Sequence, residues 1–111
     1  MKKIENNFAV TGFVGKDAEI RQFTNASVAR FPLAVSRQEK AGEETNRVSA
    51  FLSVEAWRKN ENAGAFDIIK KGALLTVTGY AKPEQWTDKD GVSHSRIVLE
   101  ATNFYLAPDK E

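Results

Sequence analysis

Cysteine is absent from the 111 residues, which excludes disulfides, thiol catalysis and thiolate metal sites together. A single histidine, His94, leaves no His-based metal cluster within one chain. No apolar run approaches the length that a bilayer demands. The opening "MKKIENNFAV" carries two lysines but lacks the apolar stretch of a signal peptide. A cytoplasmic protein is therefore expected. Charge of one sign is also missing: 16 Lys and Arg face 15 Asp and Glu, a net charge of +1. Bulk electrostatics neither demands nor excludes a polyanionic partner, so the placement of charges has to decide. The three prolines and seven glycines are scattered singly, with no linker, repeat or low-complexity tract. One domain over residues 1–111 is expected, with its core in 5–106.

What is present is the composition of an ordinary globule, 41% hydrophobic and 28% charged, and a strong alternation. In "RVSAFLSVEAW" (47–57), Val48, Ala50, Leu52, Val54 and Ala56 are apolar. The other face carries Arg47, Ser49, Phe51, Ser53, Glu55 and Trp57. Period two sustained over ten residues predicts a half-buried strand. Both aromatics stand on the otherwise polar face.

Four other segments read the same way: "NFAVTGFV" (7–14), "VARFPLAVS" (28–36), "LLTVTGYAK" (74–82) and "SRIVLEATNFYL" (95–106). Their inward residues are Phe31, Leu33 and Val35, then Leu75, Val77, Gly79 and Ala81, then Ile97, Leu99 and Ala101. Pro32 argues for an edge or a bulge in the second strand. The stretch "RQEKAGEETN" reads as a polar hairpin loop, and "ENAGAFDIIKK" (61–71) as a helix closed by Lys70, Lys71 and Gly72. The order β-β-β-α-β-β predicts an all-β fold, the five-stranded OB-fold barrel with one short helix between strands three and four. Gly12, Gly15 and Gly79 suit the sharp bends of a small barrel.

The segment "PEQWTDKDGVSHSR" (83–96) sets a tryptophan beside a tight polar turn. A solvated indole is wasted apolar surface unless something binds it. Trp86 lies in phase with Tyr80, Lys82 and Glu84, opposite to the inward residues. With Phe51 and Trp57 it forms a ring set on the wet face, interleaved with Lys82, Lys59 and Arg58. Unpaired bases stack on such rings at ~1–3 kcal/mol each, while cations follow the phosphates. Rings packed under loops or in a subunit contact are the bland alternative for each one taken singly. Asp88-Lys89-Asp90-Gly91 resembles the start of a calcium loop without its closing glutamate, and reads as a plain turn. Asp17 and Glu19 beside Arg21 read as a salt-bridged strand end. No catalytic constellation is visible, so no enzyme, metal or cofactor is expected.

The runs "NNFAVTGFVGKDAEIR", "SVARFPLAVS" and "KKGALLTVTGYAKPEQWTDKDGVSHSRIVLEA" resemble the bacterial single-stranded DNA-binding protein family, in order, over essentially residues 5–106. The most specific matches are Gly12, Gly15, Glu19 and Arg21, then Lys71, Gly72, Gly79, Trp86, Thr87, Asp88 and Gly91. The resemblance implies an OB-fold that wraps single-stranded DNA without sequence preference in replication, repair or recombination. It also implies a homotetramer, with a dimer second, that catalyses nothing and is associated with the nucleoid. By position, Trp86 matches a stacking tryptophan, Phe51 stands where a tryptophan is common, and Trp57 where a phenylalanine is. Arg21, Lys59, Lys71 and Lys82 match basic positions near the DNA path. There are departures: Arg37-Gln38-Glu39 replaces another frequent tryptophan site, and Glu84 replaces a commonly basic residue. The chain closes on "LAPDKE" without the family's Gly/Pro-rich tail and acidic tip. A tail-less form is therefore expected, and recruitment of proteins through that tip is not carried over. The alternatives are a primosomal-type OB-fold and a protein-protein interaction module using the same aromatic face. Neither a membrane nor a small-molecule substrate is expected as a partner.

Overall fold

Every alternating segment forms a strand, and two of them run well past the alternation. In the computed structural model, which describes residues 4–108, the strands are β1 (Phe8–Val14), β2 (Glu19–Gln22), β3 (Ala26–Ala41), β4 (Glu44–Lys59), β5 (Leu74–Thr87) and β6 (Ser93–Leu106). A 3-10 helix (Asn60–Ile68) joins β4 to β5. The opening lysines and the last three residues of "LAPDKE" lie outside the described residues. Among those described, no helix is long and apolar enough to cross a membrane.

β1 and β2 are two halves of one bent strand, since both pair antiparallel with β3. Val14 faces Leu33, and Glu19 faces Arg30. Residues 15–18 leave the ladder between them. Pro32 lies opposite that gap, so its missing N–H falls where pairing is already interrupted. The bulge that Pro32 predicted is thus in the neighbouring strand. The rest of β1, Phe8 to Phe13, pairs with β5. A parallel contact of Val54 with Leu99 joins β4 to β6. The ring β1-β5-β6-β4-β3 therefore closes, which is the five-stranded OB-fold barrel.

Side chains from alternate positions fill the barrel: Val14, Phe31, Leu33, Val54, Leu75 and Val77 are all buried. Phe66 of the 3-10 helix plugs one end, its ring 6.0 Å from that of Phe104, with Ile69 buried beside it. The expected helix over 61–71 is thus shorter and tighter. Asn60, Asn62 and Gly64 are weak helix formers, and no side chain caps the N-terminus, so a few 3-10 turns suffice to place Phe66. Between β5 and β6 the register shifts at Thr78 and Gly79, leaving Thr102 as an extra residue. A Cβ on Gly79 would collide there with the Glu100 carbonyl oxygen, so this bend admits only glycine.

Two hairpins extend beyond the barrel. The expected loop at "RQEKAGEETN" is instead ladder up to Ala41 opposite Glu44, turned by Gly42 at φ 67°. Both faces of this arm meet water, so Val48 and Ala50 are exposed although they keep the inward phase. Ile97, expected inside, is exposed on the second arm for the same reason. Alternation marks a face, but only the barrel's length decides which part of that face is covered.

Candidate nucleic-acid interface

The outward phase of β2 to β6 carries the site. Opposite residues in an antiparallel ladder point to the same side. The row Arg21, Val28, Trp57 therefore crosses β2, β3 and β4 on one face. On β5 and β6 the same outer phase holds Tyr80 opposite Glu100, Lys82 opposite Val98, Glu84 opposite Arg96 and Trp86 opposite His94.

All four expected rings are accessible: Phe51 is 68% exposed, Trp86 47%, Tyr80 41% and Trp57 37%. They are distributed over the face and not clustered. Phe51 and Trp57 stand six residues apart on β4, as do Tyr80 and Trp86 on β5, which is roughly 20 Å along each strand. Trp57 stacks on Phe23, with ring centroids 5.6 Å apart. Phe51 leans over Gly15, where a built Cβ would come within 2.8 Å of its ring. Trp86 stacks on His94 at 5.4 Å, with the rings 19° from parallel. The Arg96 guanidinium carbon lies 5.6 Å from the Trp86 ring centroid.

The turn beneath Trp86 is rigid for a definable reason. One oxygen of Asp88 accepts the backbone N–H groups of Asp90 and Val92, and the other meets Nε2 of His94 at 2.7 Å. The His94 bond, with the Val92 amide next, holds the Asp88 carboxyl below its ordinary value. Gly91 supplies φ 81°, a conformation that L side chains avoid. The carboxylate is therefore committed to the hairpin, as the plain-turn reading requires.

The cations divide into two groups. Arg30 and Lys82 are both drawn to Glu55, at 3.0 Å and 3.4 Å, and Arg96 donates to Glu84 at 2.9 Å. Glu55, assigned to the wet face by phase, is nonetheless only 1% exposed, because the face is concave there. A groove of about 270 Å³ runs over it, with Lys16, Glu19, Arg30, Glu55, Glu84 and Arg96 among its walls. Burial alone would raise the Glu55 carboxyl. The Arg30 hydrogen bond and the charges of Lys82 and Arg30 outweigh that and hold it below its ordinary value. Arg21, Lys59 and Lys71 are exposed and belong to none of the ion pairs found among the described residues. Arg21 shares the row of Trp57, and Lys59 follows it in phase on β4. Lys71 sits apart, in the turn before β5, its backbone N–H bound to Asp17. That contact replaces the expected salt-bridged strand end, since Asp17 accepts an amide and Arg21 stays unpaired.

Arg58 departs from its expected place. Its parity on β4 is inward, and its guanidinium lies 4.6 Å over the Phe104 ring while donating to the Trp57 and Thr102 carbonyls. It closes the barrel end and does not line the outer face. Four residues of the face escape the sequence reading: Phe23, Arg30, His94 and Arg96. Phe23 continues the phase of Glu19 and Arg21, a signal legible in "EIRQF". The other three become visible only through their cross-strand neighbours.

Exposed rings and cations outside the ion pairs of the described residues thus share the outer side of an OB-fold barrel, an arrangement able to stack flat groups and pair with anions. The chain belongs to the single-strand binding protein family, whose model matches residues 5–107. It is 33% identical over 109 residues to "Single-stranded DNA-binding protein 1" of Nostoc sp., covering 96% of this chain and 86% of that protein. It is 34% identical over 103 residues to "Single-stranded DNA-binding protein 3" of Streptococcus agalactiae, covering 91% of this chain and 72% of that one. Among solved structures, a Plasmodium falciparum SSB complex with ssDNA shares the fold, with TM-score 0.81 at 16% identity, covering 97% of this chain and 99% of that chain.

Proposed function

We propose that this protein binds single-stranded DNA without sequence specificity and catalyses nothing. Bases stack on Trp86, Trp57, Phe51 and Tyr80, while Lys59, Arg21, Lys82 and Lys71 meet phosphates. The observation that carries the reading is the exposure of Trp86 on a hairpin whose turn is pinned by the Asp88 carboxylate. A ring backed by His94 yet 47% exposed, on an arm with no core beneath it, is placed to take a base. Membership of the family and the names of its relatives support the same ligand. A single OB-fold domain acting in DNA replication, repair or recombination, in the cytoplasm at the nucleoid, fits this activity.

Mixing the protein with oligo(dT) while following tryptophan fluorescence tests it. Stacking quenches the emission. Unchanged emission with no binding would overturn the proposal, and metal-dependent degradation of the DNA would mark a nuclease.

Self-association belongs to the same reading. Thr11 and Thr76 pair on the outer side of β1 and β5, with Tyr105 opposite Thr76 and Phe13 exposed nearby. A sheet face with exposed rings of this kind favours cover by another copy. A homotetramer is expected, with a dimer second, and a concentration-independent monomer mass would overturn both.

A further inference from the structure

Trp86 stands on an arm with no core beneath it. Gln85, Thr87, Ser93, Ser95 and Ile97 around it are all exposed. β1 pairs with β5 only as far as Gly79, so on that side no strand lies beside Trp86. Whatever holds the indole must come from across the hairpin. His94 is directly opposite in register, lies against one indole face at 5.4 Å and 19°, and is itself tied to Asp88 at 2.7 Å. Asp88 in turn is fixed by the amides of Asp90 and Val92. The chain of contacts turn–Asp88–His94–Trp86 is continuous.

We propose that His94 is a positioning residue for single-strand binding: it backs one face of Trp86, so that the ring presents its other face to a single base. The proposal rests on Trp86 being a stacking platform. A backed ring loses less freedom when a base settles on it, which is where affinity is gained. A base inserted between the two rings would have to break the Asp88–His94 bond, so Trp86 takes one base and not two. The Arg96 guanidinium, held by Glu84 at 2.9 Å, also lies over the Trp86 ring at 5.6 Å, reaching it from the same strand as His94.

The protein has two tryptophans, so a Trp57→Phe background leaves Trp86 as the only reporter. In that background, acrylamide quenching of free Trp86 should rise, up to about twofold, with His94→Ala, as the face that His94 covers is opened while Arg96 remains. His94→Phe should keep the parental value, because a ring still backs the indole. Oligo(dT) affinity should fall roughly two- to tenfold with His94→Ala and stay within about twofold with His94→Phe. Melting curves establish that each variant is folded. Parental affinity or unchanged quenching in His94→Ala would overturn the inference, as would a phenylalanine variant no better than alanine. Trp86→Ala separates the two levels: if it binds as the parent does, the platform itself fails. If it weakens binding while His94→Ala does not, only the role of His94 falls.

Discussion

Glu55 and Glu100 stand side by side in the parallel register of β4 and β6, yet only Glu55 has cations of its own. Arg30 and Lys82 reach it at 3.0 Å and 3.4 Å. Glu100 is also buried, and burial first, then the Glu55 charge, pushes its carboxyl above the ordinary value of 4.5. The weaker pull of Lys82 and Arg58 does not reverse this. One carboxylate is therefore stabilised by the fold and its neighbour is strained by it.

Glu100→Gln should stabilise the protein at neutral pH. A carboxyl whose folded pKa is raised contributes stability that is complete below its unfolded value and is lost as pH rises through the folded one. Removing the charge removes that loss. The gain should be of the order of a like-charge cross-strand pair, up to about 1 kcal/mol. Urea unfolding at pH 7 and pH 4 checks it: the advantage of the variant should be larger at pH 7 and shrink toward pH 4.

Glu55 behaves with the opposite sign. Its folded pKa is lowered, so its contribution is present above 4.5 and fades as pH falls through the folded value. Glu55→Gln should cost about 1–2 kcal/mol at pH 7, since the Arg30 and Lys82 side chains, 49% and 39% exposed, can rehydrate. Replacing both cations by methionine strands the buried carboxylate, and should cost more, about 3–5 kcal/mol. Equal losses in the two variants would contradict this asymmetry.

Salt dependence follows from which cations are free. If each subunit neutralises about three to five phosphates, the slope of log affinity against log salt should be roughly −2 to −3.5. Pairing of Arg30 and Arg96 within the protein places the slope at the shallow end. Glu55→Gln releases Arg30 and should steepen it by about 0.7 for that one new phosphate contact. Titrations with oligo(dT) at several salt concentrations measure both, and an affinity indifferent to salt would remove the phosphate contacts proposed here.

Trp86→Ala should lower single-strand affinity by ~1–3 kcal/mol while changing folding stability by less than about 0.5 kcal/mol, as for a surface residue. A packed tryptophan would instead cost ~3–5 kcal/mol of stability. Melting curves and oligo(dT) binding of this one variant distinguish platform from packing.

Gly79→Ala should fail at the barrel. The added methyl meets the Glu100 carbonyl oxygen across β6, and backbone cannot yield as a flexible side chain does. A loss of at least the ~1–3 kcal/mol of an overpacked core is expected, read as a lower urea midpoint. Parental stability would show that the bulge at Thr102 can relax.

Much of the face is legible in the chain because strand periodicity is local. The phase that places Phe51 and Trp57 on one side of β4, and Tyr80, Lys82 and Trp86 on one side of β5, needs nothing beyond the sequence and the pleat. The sharp turn after Trp86 is likewise written in Asp88 and Gly91. The family resemblance shares Trp86, Asp88 and Gly91 with this reading and otherwise rests on other positions, such as Gly12, Gly15 and Arg21.

Tertiary structure alone decides the rest, because it depends on which strands are neighbours and where the barrel ends. Val48, Ala50 and Ile97 keep the inward phase, yet they are exposed because their strands continue past the core as free arms. Glu55 keeps the outward phase, yet it is buried because β4 lies at the floor of a concave face between Arg30 and Lys82. Arg58 belongs with Phe104, and Phe23 with Trp57, through contacts between residues distant in the chain. His94 carries no signal in the sequence that ties it to Trp86, and only the register of β5 on β6 sets the two together.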